Sequence, residues 1–346
     1  MESNLISVIK GTFPDTYVIA EAGLNHNGSI EIAREIIDIA ARSGANAVKF
    51  QKRTVSQLAI KSVLEQEDIR FPSFGETYGE IREFLEFDLE QYRFLQEYAT
   101  AKHLEFLVTP FDKYAIEFLR PLNLNGYKVA SHSVRNVDFL SELAKESKPI
   151  IMSTGMSTLS EIDTAVDIWC ANNVPFALLH CVSAYPTLDS DAQLRVISSL
   201  HERYQVSIGY SGHEMDSLTT LVAVSLGARI IERHVTINRN LEGFDHKLSL
   251  EEDELTILIN SIRRIEKMMG SPDKALLPSE LIAREKYNVS MVSRVSLKKG
   301  HVLDLDDITW KNPGTGIPPR EVQNYLGRVI AQDVSEDVLF SPDMFS

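Results

Sequence analysis

The chain has 346 residues, 44% of them hydrophobic and 24% charged, which is material for one large domain and a small one. Its formal charge of −14, from 35 basic and 49 acidic residues, argues against nucleic acid or an anionic membrane surface as the main partner. Any anion site must therefore be built locally. Cys170 and Cys181 make no CxxC pair and no disulfide framework, which suits a reducing compartment. Residues 1–16 lack the basic-then-apolar pattern of a signal peptide, and no run approaches the ~18 apolar residues of a membrane helix. The expected location is the cytoplasm.

Short apolar runs recur along the chain, each ending in small or polar residues. They predict strands over 17–23, 45–52, 105–111, 127–131, 149–154, 176–183, 206–212 and 229–235. Amphipathic helices are expected between them at 30–42, 137–146, 159–172 and 215–226. The clearest is 251–269, with Leu255, Leu258, Ile262 and Ile265 at helical spacing. Eight β/α units in about 250 residues predict an α/β fold, a closed (β/α)8 TIM barrel rather than an open sheet. The strands are apolar throughout, as expected where both faces are covered. The connection 54–91 is unusually long, and its aromatic residues predict an ordered lid over the barrel mouth. After Gly270 the pattern changes. We expect the barrel domain over 1–270, a linker over 271–287 and a small mixed domain over 288–346, with strands near 289–295 and 308–310.

Two histidines, His213 and His234, close the seventh and eighth runs, 21 residues apart. Neighbouring strand ends carry them, and two adjacent imidazoles there suit either a divalent metal or two hydrogen-bonded core histidines. The other strand ends are furnished too. Lys49 and Lys128 offer cations, and Thr109, Ser131, Ser153, Thr154 and Ser211 offer hydroxyls. With accessible glycine amides these could hold a phosphate and a carboxylate. Glu21 and Asp245 could move protons.

Six strings carry a resemblance: Ile19-Ala20-Glu21-Ala22-Gly23-Leu24-Asn25-His26-Asn27-Gly28, Lys49-Phe50-Gln51, Ser153-Thr154-Gly155-Met156, Ser183-Ala184-Tyr185-Pro186, Gly209-Tyr210-Ser211-Gly212-His213-Glu214 and Glu232-Arg233-His234. Together they resemble the sialic acid synthases, and the tail from about 288 resembles their antifreeze-like (SAF) domain. The resemblance implies condensation of phosphoenolpyruvate with an N-acylmannosamine or its 6-phosphate, giving a nonulosonic acid or its 9-phosphate and releasing phosphate. It implies Lys49, Thr109, Lys128, Ser131, Ser153 and Ser211 as phosphoenolpyruvate contacts. Glu21, Gln51, Tyr185 and Asp245 fall at acid/base and sugar positions. Asn25, Lys52, Arg53, Tyr78 and Asn312 are further sugar candidates, Lys52 and Arg53 for a sugar phosphate. His213 and His234 match ligands of Mn2+ or Mg2+, and the expected assembly is a domain-swapped homodimer. Two positions depart from the family pattern: Ser133 stands where an acidic residue is usual, and Asn312 where bacterial members carry an arginine. The competing readings are a related synthase acting on a shorter, octulosonate-type sugar, and a non-catalytic sugar-binding homologue.

Overall fold

The computed structural model describes residues 4–346, and the chain divides into two compact units after Gly270. In the first, eight parallel strands close a barrel in sequence order, β8 returning to pair with β1. They are β1 (Tyr17–Gly23), β2 (Ala47–Lys52), β3 (Glu105–Pro110), β4 (Tyr127–Val129), β5 (Ile150–Ser153), β6 (Phe176–Cys181), β7 (Ile208–Gly212) and β8 (Ile230–His234). All eight expected strands are present. No strand end is trimmed by more than two residues, and after β4 the chain turns into a 3-10 helix at Ser131–Ser133.

The strands' period of two sorts the barrel interior into layers. Tyr17, Ile19, Ala47, Leu107, Ile151, Ala177, Leu179 and Ile230 form one apolar cluster. Two residues further along several of these same strand faces come Glu21, Lys49, Thr109, Ser153, Cys181 and Glu232. The interior is thus oily at the amino end and ionic at the carboxyl end. The alternate residues, such as Val18, Ala20, Val48 and Phe50, pack outward into the main core with the helices.

A helix that composition did not announce, Asn4–Ile9, joins the apolar interior cluster through Leu5, Val8 and Ile9. At six residues it is too short for periodicity to register. Leu5 is fully buried, so Leu5→Ala should destabilise the barrel by about 2–5 kcal/mol, read as a lower urea midpoint with unchanged slope.

The long β2–β3 connection is ordered, as expected. It carries short helices at Val55–Leu58, Lys61–Leu64 and Tyr78–Phe84 before the longer helix Leu89–Ala101. Thr77 and Glu80 form a reciprocal capping box at the start of Tyr78–Phe84. Leu24, Ile81 and Leu85 make a small separate core, with Phe71, Phe74 and Phe244 packed against it. That core ties the connection to the loops after β1 and β8.

The second unit, Ser271–Ser346, opens with a turn of 3-10 helix and the helix Leu281–Tyr287, inside the stretch expected to be a linker. Its sheet is an antiparallel pair, β9 (Ser290–Ser293) and β10 (Ile308–Lys311). Met291, Leu297, Leu303, Ile308, Ile317, Ile330, Val334, Phe340 and Phe345 form its own apolar core.

Candidate active site

A cavity of about 310 Å³ opens at the carboxyl end of the barrel, where barrel enzymes keep their active sites. It is lined by Glu21, Lys49, Gln51, Arg53, Thr109, Lys128, Ser131, Ser153, Tyr185, Ser211, His213, His234 and Asp245 among others. Residues from all eight strands, Cys181 of β6 included, therefore converge on one space, with Ser131 supplied by the turn after β4.

Its floor is a buried ionic lattice. Lys49 Nζ lies 2.8 Å from Glu21 Oε2 and 3.8 Å from Glu232 Oε2, and donates to Thr109 Oγ1 at 3.0 Å. Lys128 Nζ donates to Ser153 Oγ at 2.6 Å and stands 3.6 Å from Glu232 Oε1. Ser211 Oγ donates to that same carboxylate oxygen at 3.2 Å. Burial works against the Glu232 carboxylate, yet Lys128 and Lys49 outweigh it and hold its pKa at about 2. Burial also works against the Lys49 ammonium, but Glu21 and Glu232 outweigh it and raise its pKa. Lys128 is lowered, by burial first and by Lys49 nearby, with Glu232 only partly compensating. Two cations and two carboxylates balance here, so an anion entering between the lysines meets ammonium groups already held in place.

Above the floor sit the imidazoles, with ring centroids 5.5 Å apart. His213 Nδ1 pairs with the Val182 carbonyl at 2.8 Å, which fixes the proton on that nitrogen and leaves Nε2 as a lone pair. His234 Nδ1 is buried without a hydrogen-bond partner, 3.6 Å from Asp245 Oδ2. The Tyr185 ring covers His213 at 4.1 Å. A free lone pair on one ring and a buried unpartnered nitrogen on the other suit a metal better than two satisfied core histidines. Among the described residues no third His, Cys, Asp or Glu joins them in a metal-binding group, so most positions on such an ion would fall to substrate and water.

The same period of two divides the two histidine motifs. Ser211, His213, Glu232 and His234 line the cavity, whereas Glu214 and Arg233 form a buried ion pair at 3.2 Å outside it. Tyr210 and Thr220 hydroxyls also donate to Glu214, so this outer network fastens the loop after β7. At Gly155 the backbone N–H donates to Ser131 Oγ at 2.9 Å, and an added Cβ would meet Ser183 Oγ at 2.5 Å. Only glycine leaves that rim open.

Five expected site residues do not line the cavity, and the first is Thr154, whose hydroxyl donates to the Leu179 carbonyl at 3.0 Å. Asn25 is wholly buried, its amide spent on the Val235 carbonyl and Ser249 Oγ. It ties two loops together. Lys52 points to the other side of β2, where its ammonium lies 2.6 Å from Glu86 and 4.6 Å over the Phe118 ring. Tyr78 stays on the lid beneath Arg82. Asn312 belongs to the second unit, beside Trp310, Lys311 and Pro313. Conversely, Glu232, Cys181, Arg82 and Phe244 line the cavity without having been expected there. Counting back two residues from His234 would have found Glu232.

The fold and site define a β/α-barrel protein with a cation-rich pocket at its catalytic end. The chain belongs to the NeuB family, which it matches over residues 36–274, and residues 288–346 match the SAF domain. It is 38% identical to the human N-acetylneuraminate-9-phosphate synthase over 323 residues, covering 93% of this chain and 90% of that protein. It is 35% identical to the N,N'-diacetyllegionaminic acid synthase of Campylobacter jejuni, covering 94% and 98%. The crystal structure of the N-acetylneuraminic acid synthetase of Leptospira borgpetersenii, in complex with citrate, matches with a TM-score of 0.69 and 35% identity, covering 78% of this chain and 90% of that one.

Proposed function

We propose that the protein condenses phosphoenolpyruvate with an N-acylmannosamine-type sugar or its 6-phosphate, yielding a nonulosonic acid or its 9-phosphate and inorganic phosphate. The observation that carries this reading is the pairing of Lys49 and Lys128 with Thr109, Ser131, Ser153 and Ser211 in one cavity, directly below two imidazoles. Family membership and the names of the relatives support it.

In this reading the two lysines and the hydroxyls hold the phosphate and carboxylate of phosphoenolpyruvate. Its methylene carbon forms a bond to the aldehyde carbon of the open-chain sugar, whose oxygen takes up a proton. Water adds to the resulting carbocation centre and loses a proton, and the C–O bond to phosphate then breaks. Glu21, held by Lys49 and Gln51, and Asp245, beside His234, are the carboxylates placed to exchange those protons. Gln51 and Tyr185 orient the sugar. His213 and His234 would hold a divalent metal, Mn2+ or Mg2+, which supplies Lewis-acid polarisation of a carbonyl oxygen. The homodimer and the cytoplasmic location belong to the same proposal, the first resting on the family resemblance and the second on composition and cysteine usage.

The test is phosphate release from phosphoenolpyruvate by the purified full chain, with Mn2+ and a panel of mannosamine-type sugars, free and 6-phosphorylated. Release with at least one sugar, and a product with the mass of phosphoenolpyruvate, sugar and one water less inorganic phosphate, is the expected result. Silence with every sugar would end this reading.

A further inference from the structure

The ladder between β7 and β8 stops one residue short of the two histidines. Its last paired residues are Gly212 and Arg233, so the ladder does not fix His213 against His234. His213 is tied toward β6: its carbonyl accepts from the Thr187 N–H at 3.1 Å, and its Nδ1 pairs with the Val182 carbonyl. His234 is tied toward β1, in register with Glu21. Two imidazoles that face each other are therefore held by strands on opposite sides of them.

Side chains outside the cavity bridge the gap. Arg233 Nη1 donates to Glu214 Oε1 at 3.2 Å, to the Asp216 carbonyl at 2.8 Å and to Thr220 Oγ1 at 3.0 Å. Its Nη2 donates to the Glu214 carbonyl at 2.7 Å. One guanidinium, next in sequence to His234, thus grips both the backbone and the carboxylate of the residue that follows His213. The carboxylate is fixed in turn by the Thr220 hydroxyl at 2.7 Å and the Tyr210 hydroxyl at 3.2 Å. An added Cβ at Gly212 would meet Glu214 Oε2 at 2.6 Å, so the carboxylate folds back over its own strand end and only glycine leaves it room. Arg233 is 1% exposed and Glu214 3%. Burying such a pair costs desolvation that its attraction offsets only in part, and apolar residues of similar volume are often as stable there. What the ion pair adds is direction: a planar fork on fixed acceptors sets a geometry that non-directional apolar contact does not.

We infer that Glu214 and Arg233 are positioning residues whose brace sets the spacing and tilt at which His213 and His234 share one divalent cation, and thereby the cation affinity of the pair. Neither lines the cavity, so each acts through the histidine beside it. The inference rests on the metal role proposed above for the two histidines.

The experiment titrates the full chain with Mn2+ and follows the paramagnetic signal of the free ion. Arg233→Met alone strands a buried carboxylate, so the main variant is the double replacement of Glu214→Leu with Arg233→Met, which removes both charges and keeps apolar volume. It should unfold near the parental urea midpoint and bind Mn2+ about 10- to 100-fold more weakly, the scale on which groups supporting metal ligands act. Arg233→Lys keeps a cation beside Glu214 without the fork. It keeps the test valid where the double variant fails to fold, and should itself lose about tenfold in Mn2+ affinity. Leu5→Ala is the control: it loosens the apolar end of the barrel interior and should leave Mn2+ affinity at the parental value. Parental affinity in either folded brace variant would overturn the inference. So would an equal loss in Leu5→Ala, which would mean that any loosening of the barrel suffices. Phosphate release separates this inference from the reaction proposed above. Weakened Mn2+ binding in the brace variants of a protein that turns over no sugar keeps the brace and removes the reaction. Unchanged Mn2+ binding in the variants of a protein that releases phosphate removes the brace and keeps the reaction. A parent that binds no Mn2+ overturns the brace and the metal site together.

Discussion

Lys49→Met should abolish phosphate release and, in the same protein, cost about 3–5 kcal/mol of stability. The two losses have one origin. Lys49 Nζ is the contact shared by Glu21 at 2.8 Å and Glu232 at 3.8 Å, and all three side chains are under a tenth exposed. Removing the ammonium leaves two buried carboxylates facing each other across an apolar-floored barrel, with only Lys128 to serve Glu232. The catalytic loss, at least about 10²–10³-fold in turnover, follows if, as proposed, this preorganised donor stands where phosphate charge is held and released. Urea unfolding and the phosphate-release assay read the two effects separately. A second substitution distinguishes them further. Glu21→Gln in the Lys49→Met background removes one of the stranded charges, so it should restore part of the stability and none of the activity. A Lys49→Met protein as stable as the parent would mean that the lattice does not carry the charge balance described here. One that still turns over would remove Lys49 from the site.

The same lattice explains what could be read from the sequence and what could not. The barrel was legible because each strand is an unbroken apolar run whose burial depends on both faces being covered, as in β1, where every residue is buried. The site was legible because those runs end in charged and hydroxyl residues at matching places. Within a strand, however, the period of two decides which polar residue enters the cavity. Lys49 and Gln51 enter and Lys52 does not, though all three are polar neighbours in sequence. Glu232 enters beside His234, whereas Arg233 turns outward to Glu214. That alternation was available from the sequence. Other features depended on contacts between distant segments. Arg82 reaches the cavity because a core of Leu24, Ile81 and Leu85 fastens the lid and Phe244 lies beneath its guanidinium. No local pattern around Arg82 announces that. Asn25 sits in a motif rich in site residues, yet long-range bonds to Val235 and Ser249 make it a loop fastener.

His213→Ala and His234→Ala should each lower phosphate release by about 10²–10³-fold or more, the scale of removing one electrophilic partner from a developing charge. The geometry argues that the rings work together. One imidazole presents Nε2 because Val182 holds its Nδ1, and the other keeps a buried nitrogen without a hydrogen bond, 3.6 Å from the Asp245 carboxylate. An unpartnered buried nitrogen is a cost of about 1–3 kcal/mol, and folding alone gives no reason to retain it. Groups that act as a unit lose function non-additively, so the double variant should be scarcely worse than either single one. Mn2+ titration of the full chain, followed by the paramagnetic signal of the free ion, should show weakened binding in both single variants. If the lysine floor holds phosphoenolpyruvate as proposed, its affinity should fall far less than turnover. A single variant with parental turnover would remove that histidine from the metal site. Losses that multiply in the double variant would mean that the two rings act separately, one as a metal ligand and the other as a proton carrier or substrate contact.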